Sequence, residues 1–535
     1  MKKSLLVLIA ICSLCAVLAM PPISPAQNTS TQNQTAQYHH YILIDIPTLG
    51  GPTSSFAFAG DASKIINSQG TAVAQADTST PDPFCLSHCL NSTVSPFCFF
   101  DCFVSHPVQR LNGVLTDLGA LPGVNSSGAF WINSQGWAAG LSENGVIDPL
   151  TGFPETDAVL WKDSNIINLG TFGGNVSAAN AVNDLGQVVG GALNTIPDPF
   201  AATFSQQFLF EAGPFYFFPV ATQSHAFLWQ DGRMQDLGTL GGPDSVAWFV
   251  NEVGQVAGQS TINSIPNPAT GVPTVDAFFW DHGKMADVGN LGGPYSFVAG
   301  LNNFGQMTGT IKLPGPTKSG FDFHAFFWDR GVLTDMATLG GNFGLANRIN
   351  DAGEVVGFST NEDDKAVLGF LWKDGVITNL GTVDGDKCSA AHDLNSIGQV
   401  VGESTPSCFS GSATHAFLWE NGGPMVDLNT LVIPGSQLDS AGGFGINDLG
   451  EITGDRFLPD GDKRAFILIP CDENHPNIVG CDYSLVTAAP VQTSTAPLTQ
   501  APATSPASLS PDEMMTRFQS LIANRHRRFG TVSPK

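Results

Sequence analysis

The residues best suited to chemistry recur in register. His106, Asp157, His225, Asp276, His324 and His415 each stand at the start of one short strand signal, seen most fully as His225-Ala226-Phe227-Leu228-Trp229. Imidazole and carboxylate groups bind metals and move protons near neutral pH, so the series invites a metal or acid–base reading. Acidic turns at Asn361-Glu362-Asp363-Asp364 and at Asp455, Asp460 and Asp462 invite calcium, but neither has EF-hand spacing. Aromatics crowd one segment at Phe208, Phe210, Phe215, Tyr216, Phe217 and Phe218. Such side chains offer large contact areas to a sugar or protein partner, and they serve equally as a plug that packs the segment onto its domain. No Gly-x-Ser-x-Gly elbow, phosphate loop or His-Glu-x-x-His occurs. No catalytic residue, cofactor or metal is therefore assigned, although two carboxylates brought together only in space would escape such a search.

The elements that must position these residues form a repeat of about 50 residues, present eight times. Its fixed point is Asn-x-x-Gly, at Asn67, Asn133, Asn183, Asn251, Asn302, Asn350, Asn395 and Asn447 with the glycine three residues on. Asparagine hydrogen-bonds its own turn and glycine supplies positive φ, so each copy reads as a tight hairpin. An apolar strand such as Gln187-Val188-Val189-Gly190 follows, then a variable loop, then the His-Ala-Phe-Leu-Trp strand, then Asp-Leu-Gly. Six of the nine tryptophans end the third strand, which marks Trp as a packing unit. Four short strands per unit predict an all-β fold, a β-propeller of eight four-stranded blades. The first unit begins at its fourth strand (41–46) and the last ends at its third (464–469), so the N-terminal strand closes the last blade and removes an open edge. In that arrangement third strands lie roughly 10 Å outside the innermost ring at the ~4.8 Å strand spacing. The His/Asp series is then too dispersed to share an ion at ~2 Å, and a packing role is expected.

The strands His225-Ala226-Phe227, His324-Ala325-Phe326 and His415-Ala416-Phe417, with Asp-Leu-Gly-Thr-Leu-Gly-Gly at 236–242, resemble the bacterial extracellular repeats of the HAF family. The resemblance spans residues 41 to 469 and departs at His106-Pro107-Val108, a poor copy of the third strand. It implies secretion and a repeat fold, and lends no activity or catalytic residues.

Met1-Lys2-Lys3 and the apolar run 4–19 read as a secretory signal peptide over 1–19. Its removal takes the formal charge from −25 to −27. That sign disfavours nucleic acid and anionic lipid, and no other run is long enough for membrane insertion. A secreted, extracellular or periplasmic monomer is expected. Eight cysteines remain, an even number in an oxidising compartment. The spacing suggests Cys85–Cys102 and Cys89–Cys98 across a helical hairpin, Cys388–Cys408, and Cys471–Cys481, with connectivity left open by spacing alone.

The expected organisation is a disordered segment over 20–40 and the propeller over 41–470, with a Cys-rich helical hairpin at 79–105 and an aromatic insertion at 191–224. A disulfide-bridged extension (471–484), a Pro/Thr/Ala-rich linker (485–509), an amphipathic helix (510–528) and a tail (529–535) follow. Short Asn-x-x-Gly turns gather at one end of the blades and all long insertions at the other. Binding sites favour variable loops on a rigid scaffold, which puts the expected working face at the long-loop end. The resulting expectation is a non-enzymatic scaffold for a glycan, cell-surface component or protein partner. The alternative is an extracellular carbohydrate-active hydrolase or lyase with a carboxylate site near the axis.

Overall fold

A computed structural model describes residues 37–56, 63–83, 103–149, 154–201, 204, 221–314, 323–408, 414–433, 436–438 and 440–488. The fold is all-β and propeller-like, with five four-stranded sheets, one twelve-stranded sheet and one two-stranded sheet. Each four-stranded unit is an antiparallel meander in chain order, as in Ser177–Val182, Val188–Pro197, Thr222–Gln230 and Arg233–Gly238. In the twelve-stranded sheet, single parallel pairs at Val275↔Tyr295 and Phe323↔Phe343 join three such meanders. The sheet of Ala441–Ile446, Ile452–Phe457 and Lys463–Pro470 takes its outer strand from Tyr41–Asp45, as the repeat phase predicted.

Local chemistry explains these elements. Strands three and four join through two-residue turns such as Asp231-Gly232 (φ 51° and 83°) and Asp374-Gly375 (49° and 84°). Positive φ at both positions gives the turn whose twist matches that of the strands. Strands one and two join through the asparagine turn. Asn251 Oδ1 accepts from Val253 N (3.2 Å) and Gln255 N (2.9 Å), while its Nδ2 donates to Gln255 Oε1 (2.8 Å) and to the carbonyl of Asn302 in the next unit (3.0 Å). The same inter-unit bond runs Asn67 to Asn133, Asn133 to Asn183, and onward through Asn251, Asn302, Asn350 and Asn395 to Asn447. From Asn447 it returns to Asn67, with all distances between 2.9 and 3.1 Å.

Packing follows the repeat. The third-strand Trp161, Trp229, Trp280, Trp328, Trp372 and Trp419 are all buried, as are Phe227, Phe278, Phe326, Phe370 and Phe417. These rings bear on second-strand glycines. A Cβ on Gly258 would sit 2.1 Å from the Val246 carbonyl and 2.7 Å from the Phe278 ring. First-strand serines tie neighbouring units: Ser245 Oγ donates to Gly238 O (2.7 Å) and accepts from Ala226 N (2.9 Å), and Ser177, Ser296 and Ser389 repeat the pattern.

Several boundaries differ from the sequence reading. Gln37–His39 pairs with Val486–Ala488, where a disordered segment and a linker were expected. Both pieces are too short to carry an alternation signal, and they are held by position, since Cys471 N donates to His40 O at 2.7 Å. The expected helical hairpin at 79–105 is strand at both ends, because Ala72–Pro81 and Phe103–Leu111 run into it. Its centre, with Cys85, Cys89, Cys98 and Cys102, lies outside the described residues, as do the signal segment, the 489–509 part of the linker and the helix expected at 510–528. Cys388–Cys408 and Cys471–Cys481 are disulfides, with Cα atoms 5.2 and 5.4 Å apart. No helix among the described residues is long and apolar enough to cross a membrane.

Gly258→Ala is expected to lower unfolding free energy by about 1–3 kcal/mol, the cost of overpacking a filled core, measured by urea denaturation. An unchanged midpoint would mean that the strand–ring contact is loose.

Candidate functional site

In seven of the eight units the strand before the asparagine turn carries an irregularity close to that turn. Register shifts fall at Ala129/Trp131, Ala179/Ala181, Ala247/Phe249, Val298/Gly300, Ala346/Arg348, Ala391/Asp393 and Gly443/Gly445. A bulge re-aims the side chains beside it. The residue just past each shift stands two before the turn asparagine of its unit, and six of the seven, Trp131, Phe249, Gly300, Arg348, Asp393 and Gly445, line a cavity of about 250 Å³ at the asparagine-turn end. Its lining is mixed. Trp131 and Phe249 meet edge-to-face, with centroids 6.0 Å apart. Arg348, bonded to Asp393 and to the Ser63 carbonyl, supplies a polar part of the lining, Lys64 lines the cavity next to Trp131, to which its backbone is bridged, and Gly300 and Gly445 add no side chain.

The polar part is strongly cross-linked. Arg348 Nε donates to Asp393 Oδ1 (3.1 Å), and Nη2 donates to the Ser63 carbonyl. Asp393 Oδ2 accepts from Ile446 N (3.0 Å). Burial pushes the Asp393 carboxyl upward against the stabilising charge of Arg348. Around the mouth, the residue after each turn asparagine makes a second set of links. Asp184 Oδ1 accepts from Ser134 N, Glu252 Oε2 from Asp184 N, Asn303 Oδ1 from Glu252 N, Asp351 Oδ1 from Asn303 N, and Asp448 Oδ1 from Ser396 N, at 2.8 to 3.0 Å. Burial raises the Glu252 carboxyl, with Lys64 opposing. Lys64 itself has no ion-pair partner among the described residues, and Arg348 Nη1 has no hydrogen-bond partner there. Asp393, Glu252, Asp351 and Asp448 thus each accept at least one hydrogen bond, and Lys64 and Arg348 line the same cavity. Such a site can bind and orient a polar molecule.

The His/Asp series sits elsewhere, on the outer strands. His106, His225 and His324 contact Asp117, Asp236 and Asp335 of the adjoining strand through Nδ1 at 3.1, 2.8 and 2.9 Å, and His415 contacts Asp386 at 2.8 Å. Burial alone raises the Asp117, Asp236 and Asp335 carboxyls, but hydrogen bonds from the histidine and from a backbone N–H outweigh it and hold them low. Where the histidine is Asp157, its partner is Asn168 (2.6 Å). Asp276 also has an asparagine donor, Asn290 Nδ2 at 2.6 Å, but it faces Asp287 as well, and burial with that like charge outweighs the hydrogen bond and pushes it to about 7. These residues pack strands and do not converge, since no cluster of three or more His, Cys, Asp or Glu suited to a metal occurs among the described residues. The acidic turns are similarly self-contained. Asn361 Oδ1 caps Lys365 N and Ala366 N, and buried Asp455 pairs with Lys463 at 2.8 Å.

Phe208, Phe210, Phe215, Tyr216, Phe217 and Phe218, the expected ligand contacts, lie outside the described residues. The cavity lies among the short asparagine turns. In the sequence the position two before each turn asparagine reads Ile65, Trp131, Ala181, Phe249, Gly300, Arg348, Asp393 and Gly445, chemically varied, while the position after it is always Ile, Val or Leu.

No family model matches the chain, and no curated protein matches it. Among solved structures, it is similar to the acylaminoacyl peptidase of Pyrococcus horikoshii (10% identity, TM-score 0.36, 73% of this chain and 56% of that one). It is also similar to dipeptidyl peptidase 4 of Porphyromonas gingivalis (9%, 0.39, 66% and 53%) and to TolB of Acinetobacter baumannii (12%, 0.28, 59% and 76%). The chain spans about half the length of the two peptidases. Likeness at this level carries no argument about function.

The Asp276–Asp287 pair gives a signed expectation. A carboxyl held above its unfolded value costs stability as pH rises from the unfolded pKa through about 7. Asp287→Asn, copying the Asp157–Asn168 solution, should stabilise by about 1 kcal/mol at pH 8 and by little at pH 5, read from thermal unfolding at both values. Destabilisation at pH 8 would contradict this.

Proposed function

We propose that this chain is a closed eight-bladed propeller of the HAF-repeat kind, exported from the cytoplasm, that works as a non-enzymatic binding scaffold for a saccharide. Closure is supported by the hydrogen-bond series that returns from Asn447 to Asn67 and by the outer strand that Tyr41–Asp45 lends to the last sheet. Export is supported by the signal-like segment 1–19 and by the two disulfides.

One observation carries the binding reading: the cavity places the aromatic rings of Trp131 and Phe249 beside the cationic groups of Lys64 and Arg348, with the Asp393 carboxylate held by Arg348 and Ile446 N. A sugar presents an apolar ring face and closely spaced hydroxyls, which an aromatic surface and mixed polar groups match. The proposed site is therefore the asparagine-turn end; the aromatic loop at 208–218 is a second surface for the same class of partner. A hydrolase or lyase would need an uncommitted carboxyl pair, and Asp393 spends its oxygens on Arg348 and Ile446 N.

The test is calorimetric titration of the full chain with a saccharide panel, followed by the best ligand against Lys64→Ala. A loss of affinity of roughly tenfold or more is expected, in line with about 1.4 kcal/mol per decade. Binding indifferent to Lys64→Ala but lost when 205–220 is removed would move the site to the long-loop end. No binding across the panel would overturn the saccharide class.

A further inference from the structure

The third residue of the asparagine turn is Leu185, Val253, Phe304, Ala352, Ile397 and Leu449 in six of the eight copies. A hairpin tip ordinarily shows polar side chains to water, yet Leu185, Val253, Phe304 and Ile397 are 58%, 54%, 68% and 67% exposed. Each shares its turn with a residue of the mouth, so apolar tips alternate with the carboxylates of Asp184, Glu252, Asp351 and Asp448. An apolar, acidic crown of this kind suits a partner that is both apolar and basic.

The chain carries one such segment. Ser510-Pro511-Asp512-Glu513 reads as a helix start, and Met514, Phe518, Leu521 and Ile522 fall on one helical face. Arg517 and Arg528 fall on one side of that face, and Arg525 ends it one turn past Leu521 and Ile522. This stretch lies outside the described residues, but its point of departure is fixed. Lys463–Pro470 runs toward the asparagine turns, with Leu468 beside Ile452. The extension closed by Cys471–Cys481 stays at that end, His475 lying 3.6 Å from Glu451 of the last turn. Val486–Ala488 then pairs with Gln37–His39, immediately ahead of Tyr41, which faces Pro470. The chain therefore leaves the described structure from the same end as the crown. Residues 489–509 carry no charge and hold four prolines; a flexible linker of that length spans ~25 Å root-mean-square.

We propose that the basic amphipathic segment 510–528 docks on the asparagine-turn crown of its own chain, its apolar face against Phe304, Ile397, Val253 and Leu185 and its arginines against the acidic mouth. The assignment is independent of the ligand proposed for the cavity. The linker sets the effective concentration at which the segment meets the crown.

Hydrogen–deuterium exchange of the full chain tests it. An undocked helix of this length is marginal in water, so peptides within 514–525 should exchange about tenfold or more slowly than those of 489–509 only if the segment is held. Phe304→Ser with Ile397→Ser, both at exposed positions, should abolish that protection while leaving the strands protected, and Phe518→Ser should do the same from the other side. Added salt should weaken it. Protection absent in the native chain, or unchanged by the crown substitutions, overturns the proposal. So does protection that disappears on dilution together with a doubled mass by light scattering, which would place the segment on a second copy.

Discussion

A single primary amide, used fully, organises this molecule. The oxygen of each turn asparagine fixes its own hairpin by accepting from two backbone N–H groups, and its nitrogen reaches the carbonyl of the corresponding asparagine in the next unit. No other side chain of this reach both accepts twice and donates. Aspartate would keep the turn but lose the link, leaving a buried carboxylate against a carbonyl, and glutamine would displace both. The recurrence of asparagine eight times is thus a requirement of hydrogen-bond bookkeeping at buried positions.

From that constraint the site follows. The bond series fixes the inner ends of the strands, and in seven of the eight units a bulge just ahead of the asparagine re-aims one residue. Because the frame is held by the asparagines, those residues are free to differ. Aromatic rings gather at Trp131 and Phe249, and an ion pair at Arg348 and Asp393. The outer strands show the opposite case. There, complementary pairs such as His225–Asp236 secure the edge, and Asp276 facing Asp287 is the point where the rule is broken.

Much of this was legible in the sequence because its causes are local. Asn-x-x-Gly and the Trp-ended strand announce turns and core strands directly, and the fourth strand missing after residue 469 announced the contribution of Tyr41–Asp45. The structural role expected for the His/Asp series agrees with the cross-strand pairs observed. Other features depend on what faces what. Spacing alone does not reveal that Asn447 reaches Asn67, 380 positions away, or that Lys64 stands beside an arginine nearly 300 residues distant. The expectation of a working face at the long loops followed from their variability, and the cavity at the asparagine turns depends on side chains from several units that no single repeat displays. The pairing of Gln37–His39 with Val486–Ala488 was likewise illegible, as three-residue strands have no pattern of their own.

The central claim is that the asparagine series is continuous, so that the link across the chain ends equals any link within it. Chemical unfolding of Asn447→Asp beside Asn302→Asp tests this most directly. Each should cost about 1–3 kcal/mol, the penalty for a buried polar group left without its partner, with one cooperative transition in both. A substantial loss for Asn302→Asp with none for Asn447→Asp would mean that the first and last units are not joined as described.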